Sequence, residues 1–299
     1  MRRYLLLLAL TVAAVPAAHA LIIAGTDGTT NTTAPANGAP WDHVGTIGGT
    51  SGVYLGAFGG GYWVITADHV GLGNITLNNV TYTAVSGSGL QLAGADVFVY
   101  RISSDPGLSN LALSAIAPLA GANVTLIGFG ADRGLSPLTG QSLAGWTVTG
   151  PSNNLVWTEI ASGTADALGY FESGSHTMRW GTNTITGTSS YNIGTGATSA
   201  LYTTFNAVTG EAQGANGDSG GAMFYLNGST WELAGILGAV GTFNNQPGST
   251  AIFGNVTYAA DLSAYRGTIL SAIPEPADFA VWSGALVAGV ALWRRRRSV

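Results

Sequence analysis

The chain has 299 residues, no cysteine, no lysine, and a formal net charge of −5 on 8% charged residues. That inventory excludes disulfides, thiolate metal clusters and a Ser–Lys catalytic dyad. Residues 21–272 hold four arginines against thirteen acidic residues, a net −9, which argues against nucleic acid as a partner.

Residues 1–20, "MRRYLLLLALTVAAVPAAHA", join two arginines, an apolar run and a small-x-small ending at Ala18-His19-Ala20. This layout predicts a secretory signal peptide cut after Ala20; the run is too short to span a membrane. Residues 21–272 are enough for one large or two small hydrophobic cores. Short β-rich runs dominate them: "YWVIT" (62–66), "ITLNNVTYTAV" (75–85), "DVFVYRI" (96–102), "VTLIGFG" (124–130), "AMFYL" (222–226) and "WELAGILGAV" (231–240). Many short strands between turn signals predict an all-β sandwich or barrel rather than alternating β/α units. The stretch 131–213 is the hardest to assign, and its "TITGTSSYNIGTGATS" (184–199) reads as a long or mobile loop. One short helix is predicted within "AADLSAYRGTILSAI" (259–273).

The chain closes on Pro274-Glu275-Pro276, an apolar run from Phe279 to Trp293, and Arg294–Arg297. An apolar segment with a basic stop predicts a single span, its arginines cytoplasmic. Residues 273–299 resemble the PEP-CTERM sorting signal. The resemblance implies recognition, and removal, by membrane-bound sorting machinery, with release or attachment at the cell surface.

A serine hydroxyl needs a neighbouring base to act as a nucleophile, so the bases decide what "GDSGG" (217–221) can do. Past the signal peptide the histidines are His43, His69 and His176, and all three precede Ser219. The stretch also satisfies G-x-S-x-G, but the α/β-hydrolase elbow has its histidine after the serine. That reading fails. The remaining order is His, Asp, Ser.

The flanking runs then resemble chymotrypsin-like serine proteases. "WVITADHV" (63–70) is similar to the family's strand ending in Thr-Ala-Ala-His, with Asp68 for the second alanine. "ADVFVYRI" (95–102) resembles the strand carrying the orienting aspartate, and "VTLIGFG" the strand ending in Gly-Trp-Gly. "GDSGG" is the nucleophile signature; "LAGILGAVG" (233–241) and "GNVTYAADLSAYRGTIL" (254–270) resemble the following strand, then the closing strand and helix. The resemblance implies two six-stranded antiparallel β-barrels, about 38–130 and 140–270, with a short C-terminal helix, in a protease domain spanning 21–272.

By resemblance, Ser219 attacks the scissile carbonyl, His69 carries the proton, and Asp96 orients His69. The N–H groups of Gly217 and Ser219 form the oxyanion hole. Asp68 is a rival acid, ranked lower because neighbours on an extended segment point opposite ways. His43 and His176 are read as structural or surface residues. The specificity pocket falls on Gln213, Gly238 and Val240; neutral Gln213 and bulky Val240 predict small or medium uncharged residues before the cleaved bond. "LIIAG" (21–25) resembles the family's activated N-terminus, which implies an ion pair between Asp218 and the amine of Ile22, or of Leu21. No metal and no cofactor is expected. The expected partners are protein substrates and the sorting machinery, and the chain is expected to be a monomer. A catalytically inactive surface or matrix protein is the alternative reading.

Overall fold

The computed structural model describes residues 21–273. The expected signal peptide, Pro274-Glu275-Pro276 and the expected membrane span lie outside the described residues. Among the described residues no helix is long and apolar enough to cross a membrane.

Strand β1 (Ile22–Ile23) and a single 3-10 turn at Trp41–His43 precede the first barrel. That barrel is built from β2 (Val44–Ile47), β3 (Thr50–Phe58), β4 (Gly61–Thr66), β5 (Ile75–Leu77), β6 (Val80–Tyr82), β7 (Leu90–Gln91) and β8 (Phe98–Ile102). The pairings run β6-β5-β2-β3-β4-β8. The ring closes where the chain beyond β6 returns to β8: Ser103 N–H donates to Thr83 O at 2.9 Å and Val85 N–H to Arg101 O at 2.8 Å. Closure leaves no open edge to aggregate, and β7 is a two-residue addition to β8.

After β9 (Ala112–Leu113), the second barrel takes β10 (Asn123–Arg133), β11 (Leu143–Thr149), β12 (Val156–Ile160), β13 (Ala167–Tyr191), β14 (Thr198–Thr204), β15 (Ala212–Gln213), β16 (Ala222–Asn227), β17 (Thr230–Gly241), β18 (Thr250–Ile252) and β19 (Val256–Asp261). Its ring is β10-β16-β17-β19-β14-β13, closed by β13 on β10. The first residues of β13 leave the ring and pair with β11 and β18, and β12 extends this accessory sheet. Two closed six-stranded rings and the C-terminal helix α1 (Leu262–Ala272) are the fold the sequence predicts.

The structure corrects the reading of 184–199. Most of it is strand: β13 runs to Tyr191 and β14 begins at Thr198. The alternation that enters it, buried Gly181, Asn183 and Ile185 against exposed Thr182, Thr184 and Thr186, stops at Thr186, and the rest of the strand is mostly exposed small and polar residues. Low hydrophobicity hides it.

One core joins the barrels. Val53, Leu55 and Ile65 of the first pack with Ile127, Phe224 and Ile236 of the second, and Leu262 and Ile269 of α1 seal the junction. Asp261 caps α1 by accepting from Ser263 N–H at 3.0 Å. Burying each large apolar side chain there stabilises by about 1.5–3 kcal/mol, and this packing fixes the cleft between the barrels.

Candidate active site

Three segments meet at that cleft. β4 ends at Thr66, and the chain turns through Val70 N–H and Gly71 N–H, both donating to Ala67 O. The turn presents His69. Asp96 lies just ahead of β8, fully buried. Ser219 sits in a tight turn before β16, held by Asp218 N–H on Ala215 O and Gly221 N–H on Asp218 O.

His69 Nε2 lies 2.7 Å from Ser219 Oγ, across 150 residues of chain. On its other side Nδ1 lies 2.9 and 3.0 Å from the two Asp96 oxygens. A carboxylate is acceptor-only, so Nδ1 carries the hydrogen and Nε2 presents its lone pair to the hydroxyl. Asp96 Oδ1 also accepts from His69 N–H at 3.1 Å, which holds the backbone as well as the ring. The rival acid is engaged elsewhere: Asp68 Oδ2 accepts from Gln91 Nε2 at 2.7 Å.

Two further partners of Asp96 have no signal in the sequence. Tyr191 Oη donates to Asp96 Oδ2 at 3.0 Å, and Thr198 Oγ1 accepts from Asp96 N–H at 2.8 Å. Both come from the second barrel, so they tie Asp96 to the barrel that carries Ser219. Burial and the facing Asp96 charge push the Tyr191 phenol above its ordinary value, which keeps it a donor. Gly238 makes room: a Cβ there would lie 2.0 Å from Tyr191 Oη. Ser51 of β3 is the other residue that sequence reasoning missed. Its N–H donates to Ser219 O at 2.9 Å, and its Oγ accepts from Phe129 N–H at 2.8 Å. Serine in a strand carries no signal of such a role.

Gly217 has φ +95°, in the left-handed region glycine favours, and a Cβ would lie 2.6 Å from His176 Nδ1. Among the described residues neither Gly217 N–H nor Ser219 N–H has a hydrogen-bond partner. Two unpaired donors beside the Ser219 hydroxyl can receive an anionic oxygen. His176 thus lies against this loop, its ring 5.9 Å from Phe129. His43 is buried, its Nδ1 2.9 Å from Tyr54 O, and burial lowers its pKa. It is structural.

Beside Ser219 opens a cleft of about 350 Å³ that Gln213, Gly238 and Val240 all line. Gln213 is 1% exposed and its Oε1 has no partner. Glu172 also lines the cleft. Burial raises its pKa, and its Oε2 accepts from Asn216 Nδ2. Asp218 is fully buried, Oδ2 accepting from Ala215 N–H at 2.7 Å, and burial pushes its pKa well up. Ile22 pairs in β1 with Gln213, and the structure joins it to Asp218 by no hydrogen bond or ion pair. No cluster of metal-ligating side chains exists among the described residues.

Comparison with known proteins adds a family. The family model described as Trypsin matches residues 29–262. No curated protein matches. Among solved structures, the Glu endopeptidase in complex with MPD is 14% identical, covering 84% of this chain and 99% of that one at TM-score 0.45. The active form of the Rv3671c protease from M. tuberculosis is 13% identical, covering 78% and 80% at TM-score 0.44. The NS6 protease from murine norovirus 1 is 15% identical, covering 77% and 93% at TM-score 0.36.

Proposed function

The chain belongs to the trypsin family, a protease family, and on that premise we propose that it is an exported serine endopeptidase. The observation that carries the reading is the unbroken chain from Ser219 Oγ through His69 to Asp96, at 2.7 and 2.9 Å.

In this reading Ser219 Oγ bonds to the scissile carbonyl carbon while its proton passes to His69 Nε2. Asp96 keeps the hydrogen on Nδ1 and stabilises the imidazolium. The oxyanion takes the free N–H groups of Gly217 and Ser219, where losing one donor typically costs about 3–4 kcal/mol. As the peptide C–N bond breaks, His69 returns the proton to the leaving amine. Water then repeats the sequence on the acyl-enzyme and frees the acid.

The residue before the cleaved bond is uncharged and small or medium. Gln213 offers an acceptor without charge, Val240 narrows the cleft, and the Glu172 carboxyl is already engaged by Asn216. A peptide-library profile dominated by Arg or Lys at that position would overturn this preference. Residues 1–20 and 273–299 support export, sorting at the inner membrane and display or release at the surface. An amine freed at Leu21 or Ile22 pairs with Asp218; full activity in a chain with a long N-terminal tag would exclude it.

The test of the activity is labelling with a fluorophosphonate, which reacts with activated serines. Wild type should label, while Ser219→Ala and His69→Ala should not. A folded, processed wild type that stays unlabelled would favour an inactive surface protein.

A further inference from the structure

A second cleft, of about 480 Å³, opens beside the first. Val148 and Trp157 of the β11–β12 hairpin, Leu168 of β13, and Phe243 and Phe253 line it. The Trp157 and Phe243 rings stand 5.9 Å apart. Phe243 is 40% exposed and Leu168 41%, so both present apolar surface at this cleft. Asp166 also lines the cleft, and its Oδ2 already accepts from Val148 N–H at 2.8 Å.

The walls are fixed. Trp157 Nε1 donates to Asn244 O at 3.0 Å, and Asn245 Nδ2 donates to Leu155 O at 3.2 Å. Those bonds staple the segment after β17 to the hairpin. The same segment borders both clefts: Thr242 and Gln246 line the one at Ser219, and Phe243 lines this one.

The route between the clefts is an open strand edge. β17 pairs with β16 only as far as Ile236, while Ala239–Gly241 pair with β19 alone. A polypeptide added to that edge lies beside Ser219 and leads to Phe243. The acyl half of a substrate must stay bound through both chemical steps, whereas the amine half departs after the first. The edge therefore holds the acyl half. Leu237 is bonded to Gly220 and Gly221 beside Ser219, and Phe243 lies six positions further on. A chain paired along this edge therefore reaches Phe243 roughly three to five residues before the cleaved bond.

We infer that the Trp157–Phe243 cleft is a second recognition site for the polypeptide substrate. It takes a large apolar or aromatic side chain about three to five residues upstream of the cleaved bond. This rests on the protease reading of Ser219.

Matched peptides identical around the cleaved bond, with Phe, Leu or Ser at each of those upstream positions, test it. Phe or Leu at one position should lower KM about tenfold relative to Ser, the scale expected for burying one apolar side chain. Trp157→Ala and Phe243→Ala should erase that preference while fluorophosphonate labelling proceeds at the wild-type rate. Equal KM for all three peptides at every position, or a preference that survives both substitutions, overturns the inference. So does a concentration-dependent dimer in ultracentrifugation that Trp157→Ala abolishes, since a second copy would then fill the cleft. Unlabelled but folded wild type defeats the protease reading instead. Anisotropy of a fluorescent Phe-bearing peptide with Ser219→Ala then decides the cleft alone: binding lost in the added Trp157→Ala supports it, and unchanged binding overturns it.

Discussion

The two barrels share a ring of six strands but treat buried polar groups in opposite ways. In the first, Thr66 Oγ1 donates to Ser51 O at 2.8 Å, His43 is bonded to Tyr54 O, and the Asp96 carboxylate accepts from His69 and Tyr191. Among the described residues, every buried side-chain polar atom without a hydrogen-bond partner falls at Asp132 or later. Buried groups are normally paired, so this one-sided distribution separates two jobs. The barrel that holds His69 and Asp96 has its buried polar side chains paired, in part by Tyr191 of the second barrel, whose Thr198 also holds the Asp96 N–H. The barrel that carries Ser219 leaves Gln213 Oε1 without a partner in the wall of the cleft.

The strongest way to break this comparison is at the contact between the barrels. Ser219→Ala or His69→Ala should each lower turnover of a peptide substrate by on the order of 10⁴-fold or more. A smaller loss would mean that the two halves do not act as one unit. Gly217→Val comes next. It forces a side chain onto φ +95° and against His176, and should cost about 10²–10³-fold in kcat through a misdirected N–H. Phe224→Ala tests the shared core: a cavity between the barrels should cost about 3–5 kcal/mol in urea unfolding.

Tyr191→Phe sharpens the division of labour. The second barrel reaches the Asp96 carboxylate through that one hydroxyl, so kcat should fall about tenfold with KM nearly unchanged. In an Asp96→Asn background the same change should add little, because the hydroxyl acts only through the carboxylate. Equal losses in both backgrounds would reduce Tyr191 to a packing residue.

The smallest effect belongs to Asp132. Burial pushes its carboxyl up to about 6 despite nearby Arg179 and His176. The folded state therefore holds this proton more tightly than the unfolded chain does. Its contribution to stability is full below about pH 4 and is lost as pH rises through about 6. Asp132→Asn should gain on wild type by a few °C in Tm, roughly 2–5 °C, between pH 4 and pH 7. A constant difference across that range would show that Asp132 does not titrate there.

Much of this is legible in the residues themselves. Strand runs such as 62–66 and 231–240 show a β pattern that the structure keeps as β4 and β17. The 184–199 stretch mimics a loop because it is mostly threonine, serine, glycine and asparagine, with Ile185 and Tyr191 the only buried residues of its β13 part. The choice of Asp96 over Asp68 can be argued from strand alternation, and the structure turns Asp68 to Gln91. Tyr191, Thr198 and Ser51 cannot be anticipated, because each acts on a residue far away in the chain, as Ser51 does on Ser219.

Sequence alone determined which chemistries were available: without lysine or cysteine, and with every histidine ahead of Ser219, the bases open to that serine were few. It also determined the β class, through local periodicity. Only the tertiary structure decided which groups meet, because strand pairing joins residues such as His69 and Ser219 across 150 positions. Periodicity encodes which face of a strand is buried. It does not encode which other strand lies against that face, and the Tyr191 hydrogen bond and the Trp157–Phe243 cleft both depend on that second fact.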